Sequence, residues 1–161
     1  MEKEQQLETL NTEFNINDQY SNRLLDKVKQ LNSTTENKVD FDIVKKAIIY
    51  AKKYHGSQIR KSGEPYYSHP LEVAYLVSDY FFRTDIIVTA ILHDTIEDTE
   101  LTKEMIEQEF GNIIACQVED LTRINWVFPT LNWADSYEIR ETGTLFYEFG
   151  GDNYALKGAT T

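Results

Sequence analysis

Cysteine is almost missing from this chain: Cys116 stands alone among 161 residues. No intrachain disulfide can form, so stability has to come from packing, and a reducing compartment suits the sequence. Proline is scarce, at three residues, and strand-like β-branched alternation is rare, which makes helices the default. Basic side chains are outnumbered, with 16 Lys and Arg against 27 Asp and Glu and a formal net charge of -11. That balance argues against a general DNA or RNA binder, because phosphate backbones need a basic surface. A small anionic ligand stays open, since it needs only a local group of cations or a bound metal ion. Long apolar runs are lacking as well. The most apolar stretch, Ile86 to Leu92, is far too short to cross a bilayer. The polar start, Met1-Glu2-Lys3-Glu4, has no signal-peptide character. A cytoplasmic protein without a membrane partner is expected. Hydrophobic residues make up 41% of the chain, enough at this length for one domain with a real core.

What is present has helical spacing. Leu7, Leu10 and Phe14 give a weak pattern, and Tyr20, Leu24, Val28 and Leu31 a clearer one. The polar run Asn32 to Asn37 reads as a loop. A firmer helix follows Asp40, an N-cap residue, with Phe41, Val44, Ile48 and Ala51 on one face. Gly56 stops it after His55. Residues 57–68, containing Gly63-Glu64-Pro65, read as a loop. Pro70 suits a first helical position, and the helix after it is apolar on more than one side. Asp85 is expected to cap a buried helix reaching about Asp94. Thr102 caps another that stops near Gly111, and a last helix carries Ile114, Val118 and Leu121 on one face, with Asn125 a further candidate for it. Cys116 fits as a small core residue. From Asn125 onward the composition changes to aromatic and glycine-rich, with no helical period.

The chemistry gathers in a short span: all three histidines lie between residues 55 and 93. His93-Asp94 ends the apolar helix, and Glu97-Asp98 follows at the three- and four-residue spacing that shares a helix face. Carboxylates brought together under burial repel, and a divalent cation resolves the conflict. Nitrogen and oxygen donors suit Mn or Zn. Such an ion acidifies the water that it holds toward a pKa of ~7 and polarises phosphoryl oxygens. A His-Asp pair is also common by chance. Arg60-Lys61-Ser62 before Gly63 could grip a phosphate or stack on a base, or be a solvated basic loop. His69, just before Pro70, could be a ligand, a cap or a packed ring. His55, at a helix end, fits a structural role better than a catalytic one.

The run from His55 to Pro70, HGSQIRKSGEPYYSHP, resembles the signature of RelA/SpoT hydrolase domains. So do LHDTIEDT from Leu92 to Thr99, and Phe110-Gly111 followed by VEDLT from Val118 to Thr122. The likeness covers roughly residues 40–124, about half the chain. It implies an all-α fold, an HD-domain helical bundle that is incomplete at its C-terminal side. It implies a division into an N-terminal helical extension at 1–38, a partial HD hydrolase domain at 39–124 and a divergent tail at 125–161. It also implies one Mn(II) ion and removal of the 3′-pyrophosphate of guanosine tetra- or pentaphosphate. By position, His69, His93 and Asp94 match metal ligands, and Glu97 and Asp98 match the acidic pair that activates water. Arg60, Lys61 and Ser62 match the loop that holds the guanosine nucleotide.

The sequence also departs from that family. Its fourth metal ligand is an aspartate on a later helix, in a motif like Leu-Ala-Asp-Arg-Leu-His-Asn. No such motif occurs here, and Trp133-Ala134-Asp135-Ser136 is only a partial echo that comes too early. The synthetase and regulatory regions of the long enzymes are absent too. A truncated relative of reduced activity is therefore expected. The alternatives are a non-catalytic nucleotide-binding remnant, a partner subunit working with a separately encoded RelA/SpoT fragment, and an HD phosphohydrolase of another nucleotide.

Overall fold

A computed structural model describes residues 14–127, together with the isolated positions 5 and 9. Among the described residues the fold is all-α, with seven helices and no strand beyond one isolated antiparallel bridge between Ile59 and Pro65. Leu7 and Leu10, and the tail with Asp135, lie outside the described residues.

Helix α1, Gln19–Thr34, begins where the Asp18 carboxylate accepts the backbone N–H groups of Tyr20 and Ser21, both at 3.0 Å. It runs three residues into the expected loop before extended backbone at Thr35 ends it. Asn32 secures the exit: its amide donates to the Val39 carbonyl at 2.9 Å and its oxygen accepts the Val39 N–H at 2.8 Å. Helix α2, Phe41–His55, is capped by Asp40 as expected, with acceptor distances of 3.1 and 3.2 Å. It stops at Gly56, whose φ of +54° is a conformation that side chains with a Cβ resist.

Helix α3, Ser68–Val77, starts two residues before Pro70, which sits in its first turn rather than at the first position. The early N–H groups of a helix have no intrahelical partner, so proline is tolerated there. Only Glu72 and Tyr75 escape burial, and both are held by α1. Arg23 pairs with Glu72, while the Arg23 guanidinium and the Lys27 ammonium stand 4.0 and 3.8 Å from the centre of the Tyr75 ring.

Helix α4, Thr84–Leu92, is the centre of the bundle. Its seven residues from Ile86 to Leu92 are all buried, which fits a helix apolar on every side. It packs against α2, α3 and the last helix. Asp85 is not its N-cap. Arg83 occupies that position, and Asp85 lies in the first turn, pairing with Arg83 at 2.8 Å and accepting from Gln117 at 3.0 Å. The helix ends at Leu92, short of the expected Asp94. The freed Leu92 carbonyl accepts the Thr95 hydroxyl at 2.6 Å.

A four-residue turn of helix, α5 (Thr95–Asp98), is followed by α6 (Lys103–Phe110) and α7 (Asn112–Val127). Thr102 caps α6 and Gly111 ends it, as the sequence implied. Helix α7 buries Ile114, Ala115, Val118 and Leu121. It continues past Asn125 to Val127, so the backbone stays helical beyond the point where the composition changes. Cys116 is only half-buried, with Sγ 3.7 Å from the Asn112 side-chain oxygen, because the buried stripe of α7 passes beside it. Val28, Ile48, Ile87, Ile91 and Val118 lie in one continuous core, so α1 shares the core of the helices that follow it.

Removing the buried branch of Ile87 by Ile87→Ala is expected to lower the unfolding free energy by about 2–5 kcal/mol. Ile113→Ala, at a position 67% exposed, should stay within about 0.5 kcal/mol. Urea denaturation of the two variants against the parent chain measures both.

Candidate metal centre

Three buried polar side chains meet beneath the junction of α3, α4 and α5. His69 is the second residue of α3, and its N–H donates to the Tyr66 carbonyl at 3.2 Å. His93 is the C-cap of α4, and Asp94 is the N-cap of α5. One donor atom from each lies within 4.8 Å of the others. The two imidazole rings stand 5.7 Å apart at 68°, and their Nε2 atoms lie 2.9 Å (His93) and 3.9 Å (His69) from the Asp94 carboxylate.

The ring of His93 is set by the main chain. Its Nδ1 lies 2.7 Å from the Ala90 carbonyl, which can only accept, so Nδ1 carries the proton. That turns Nε2 toward Asp94 Oδ1, 2.9 Å away. Two bare acceptors at this distance repel, so either a proton shared by the pair or a metal cation has to lie between them. In the proton-only state, burial opposes the charge on His93, but Asp94 outweighs it and the imidazole is raised above its usual 6.5. Burial likewise pushes Asp94 up, and His93 pulls it below the usual carboxylate range. Burial, and then the charge on His93, bring His69 down to about 4, which leaves it neutral with a lone pair to offer.

The donor set fits a divalent cation. Two imidazole nitrogens and one carboxylate oxygen are a common set for Zn or Mn, and the His93 tautomer is already the one that a ligand needs. The trio is therefore a candidate metal centre.

The other expected site residues fall around it differently. The sequence reading turned Asp94, Glu97 and Asp98 to one side. The helix breaks at His93-Asp94, and only the Asp94 carboxylate enters the cluster, while Glu97 and Asp98 are exposed. Asp98 still borders the cluster, since its charge reaches both His93 and His55. Arg60 is half-buried, and its charge acts to depress His69. Lys61 and Ser62 are exposed at the tip of that loop, where Gly63 adopts φ +89°. His55 is buried at 1% exposure, and its ring packs 4.9 Å from that of Tyr66. The sequence reading passed over Gln58 and Tyr66, which both bond to Asp98. The available signal was their place in the run that also carries His55 and His69.

Comparison with known proteins agrees with this architecture. The family model described as HD domain matches residues 47–136, more than half of the chain. The chain belongs to the HD domain family. It is 48% identical over 86 residues to a GTP pyrophosphokinase of Myxococcus xanthus, covering 53% of this chain and 11% of that protein. It is 50% identical over 82 residues to the GTP pyrophosphokinase rsh of Brucella ovis, covering 51% and 11%. It is 40% identical over 94 residues to the guanosine-3′,5′-bis(diphosphate) 3′-pyrophosphohydrolase of Aquifex aeolicus, covering 58% and 14%. The chain thus spans a small part of the length of these relatives. Among the described residues, no helix is long and apolar enough to cross a membrane.

Metal binding by the trio should compete with the proton on His93. Affinity for Mn(II) or Zn(II) is expected to climb as pH rises through the raised titration of His93 and then to level off. His69, at about 4, adds no competition near neutrality. Calorimetric titration across pH 5.5–9 measures the curve, and an affinity flat with pH would contradict the assignment.

Proposed function

We propose that this chain is a metal-dependent hydrolase that removes the 3′-pyrophosphate of guanosine 3′,5′-bis(diphosphate), using Mn(II). The observation that carries the reading is the convergence of His69, His93 and Asp94 on one point within 4.8 Å. The relative named for that hydrolysis supports the choice of substrate. The sequence expectation of a hydrolase domain at 39–124 is part of the proposal. So is a cytoplasmic location, where a free nucleotide would be met.

When bound, the cation supplies Lewis-acid stabilisation of phosphoryl charge. The chain's own residues supply the rest. His93, Asp94 and His69, all buried, would hold the cation, with the His93 ring aimed by the Ala90 carbonyl. Asp98, exposed at the rim, accepts a hydrogen bond from Tyr66 at 2.7 Å, which leaves its second oxygen to take a proton from attacking water. Glu97, one residue earlier and exposed, shares the proton handling. Arg60 and Lys61 offset substrate charge at the mouth, and the Ser62 hydroxyl bonds the nucleotide. Local cations thus accommodate a polyphosphate on a chain of net charge -11.

The test is turnover of guanosine 3′,5′-bis(diphosphate) with Mn(II), followed by pyrophosphate release. Asp94→Asn should abolish both Mn(II) binding and turnover. Arg60→Ala should keep the metal and raise KM about tenfold, the loss expected for one charge-assisted contact. Metal binding without any turnover would leave the nucleotide-binding remnant or the partner subunit in its place. Hydrolysis of other nucleotides alone would point to a different HD phosphohydrolase.

A further inference from the structure

Below the rim of the site, the Tyr66–Asp98 hydrogen bond belongs to a wider group of contacts whose other members the proposed chemistry does not use. Helix α2 ends at His55, and the chain turns back so that the Gln58 N–H meets the His55 carbonyl at 3.1 Å. The buried His55 Nδ1 lies 3.2 Å from the Gln58 side-chain oxygen, so it is the donor. The other end of that amide donates to the main-chain carbonyl of Asp98 at 3.2 Å. Across the loop, the Tyr66 N–H meets the Gln58 carbonyl at 2.9 Å, and the Tyr66 ring packs on that of His55 at 4.9 Å. The Tyr66 hydroxyl then donates to Asp98 Oδ2 at 2.7 Å.

Two side chains from one loop therefore hold the same residue, one by its carboxylate and one by its carbonyl, and both rest on one buried imidazole. Asp98 needs such holding. It is the last residue of a helix four residues long, and the next residue is already extended. A single turn of helix in water is unstable by itself. An exposed carboxylate on a frayed turn would sample many positions, and displacement by about 1 Å can cost on the order of 100-fold in rate.

We propose that Gln58 and Tyr66, seated on His55, are positioning residues that fix Asp98 at the rim of the metal centre. The inference deepens the hydrolase reading and rests on it for the role of Asp98. The loop thereby has two duties: its tip, at Arg60 to Ser62, meets substrate, and its two flanks hold the carboxylate.

The test uses the full chain with Tyr66→Phe and Gln58→Glu, singly and together, each of which removes one donor and keeps the shape. His55→Phe is added to keep the ring packing and remove the bond to Gln58. Mn(II) binding should match the parent in all of them, since the three ligands are untouched. Amide exchange at Asp98 and Thr99, whose N–H groups bond to Asp94 and Thr95 at 3.0 and 3.1 Å, should quicken about tenfold in the double variant. Exchange in α2 and α4 should not change. With guanosine 3′,5′-bis(diphosphate), kcat should fall about 10–100-fold with KM within about twofold. Unchanged exchange at these two amides, or unchanged kcat in an active enzyme, overturns the proposal. If the parent chain turns over no substrate, the hydrolase reading falls by itself, and the exchange rates alone decide whether this loop holds Asp98.

Discussion

The close approach of the Asp94 carboxylate to His93 Nε2, sealed inside the bundle, is the constraint on which the rest of the site depends. A buried carboxylate without positive charge beside it is costly, and removing one partner of a buried pair costs about 3–5 kcal/mol. The fold therefore has to deliver a cation or a proton to this point. It does so by ending there a helix that is buried from Ile86 to Leu92, so that the first polar side chains after Leu92 lie away from solvent. The second residue of α3 brings the other imidazole, made neutral by burial. Stability and metal affinity are thus coupled through the same three side chains.

The surrounding helices explain why that geometry is firm. Helix α4 has no solvent face along Ile86–Leu92, so its last turn cannot shift without disturbing α2, α3 and α7 together. Helix α1 clamps α3 through Arg23, Lys27 and Tyr75, and Lys52 of α2 reaches the Asp18 cap of α1 at 2.6 Å. These contacts stand away from the site and set the helix on which His69 rides.

Much of this was legible in the residues. Asp40, Gly56, Thr102 and Gly111 marked helix ends because their caps and backbone angles are local properties. The basic loop was legible as a loop from Gly63-Glu64-Pro65. What failed depended on the third dimension. Asp85 has the chemistry of an N-cap, but Arg83 and Gln117 claim its carboxylate, and no local pattern reveals a partner 32 residues away. Cys116 has core neighbours in sequence, yet the buried stripe of α7 runs through Ala115 and Val118 beside it. The carboxylates at 94, 97 and 98 had the spacing to converge, and the break in the helix separated them. The convergence of His69 with His93 could be inferred only from resemblance, because the 23 intervening residues carry no sign of where the chain returns.

One contact in the seam between α4 and α7 has a wider meaning. Thr89 is fully buried and donates to the Gln117 side chain at 2.6 Å, and Gln117 in turn donates to Asp85 at 3.0 Å. Apolar ridges on two helices can slip past each other by a turn and mesh again at little penalty. This polar rung opposes such slippage, because one step would strand the buried Thr89 hydroxyl in hydrocarbon. It works as a depth gauge: it fixes how far α4 reaches toward the cluster, and with that the height at which His93 stands.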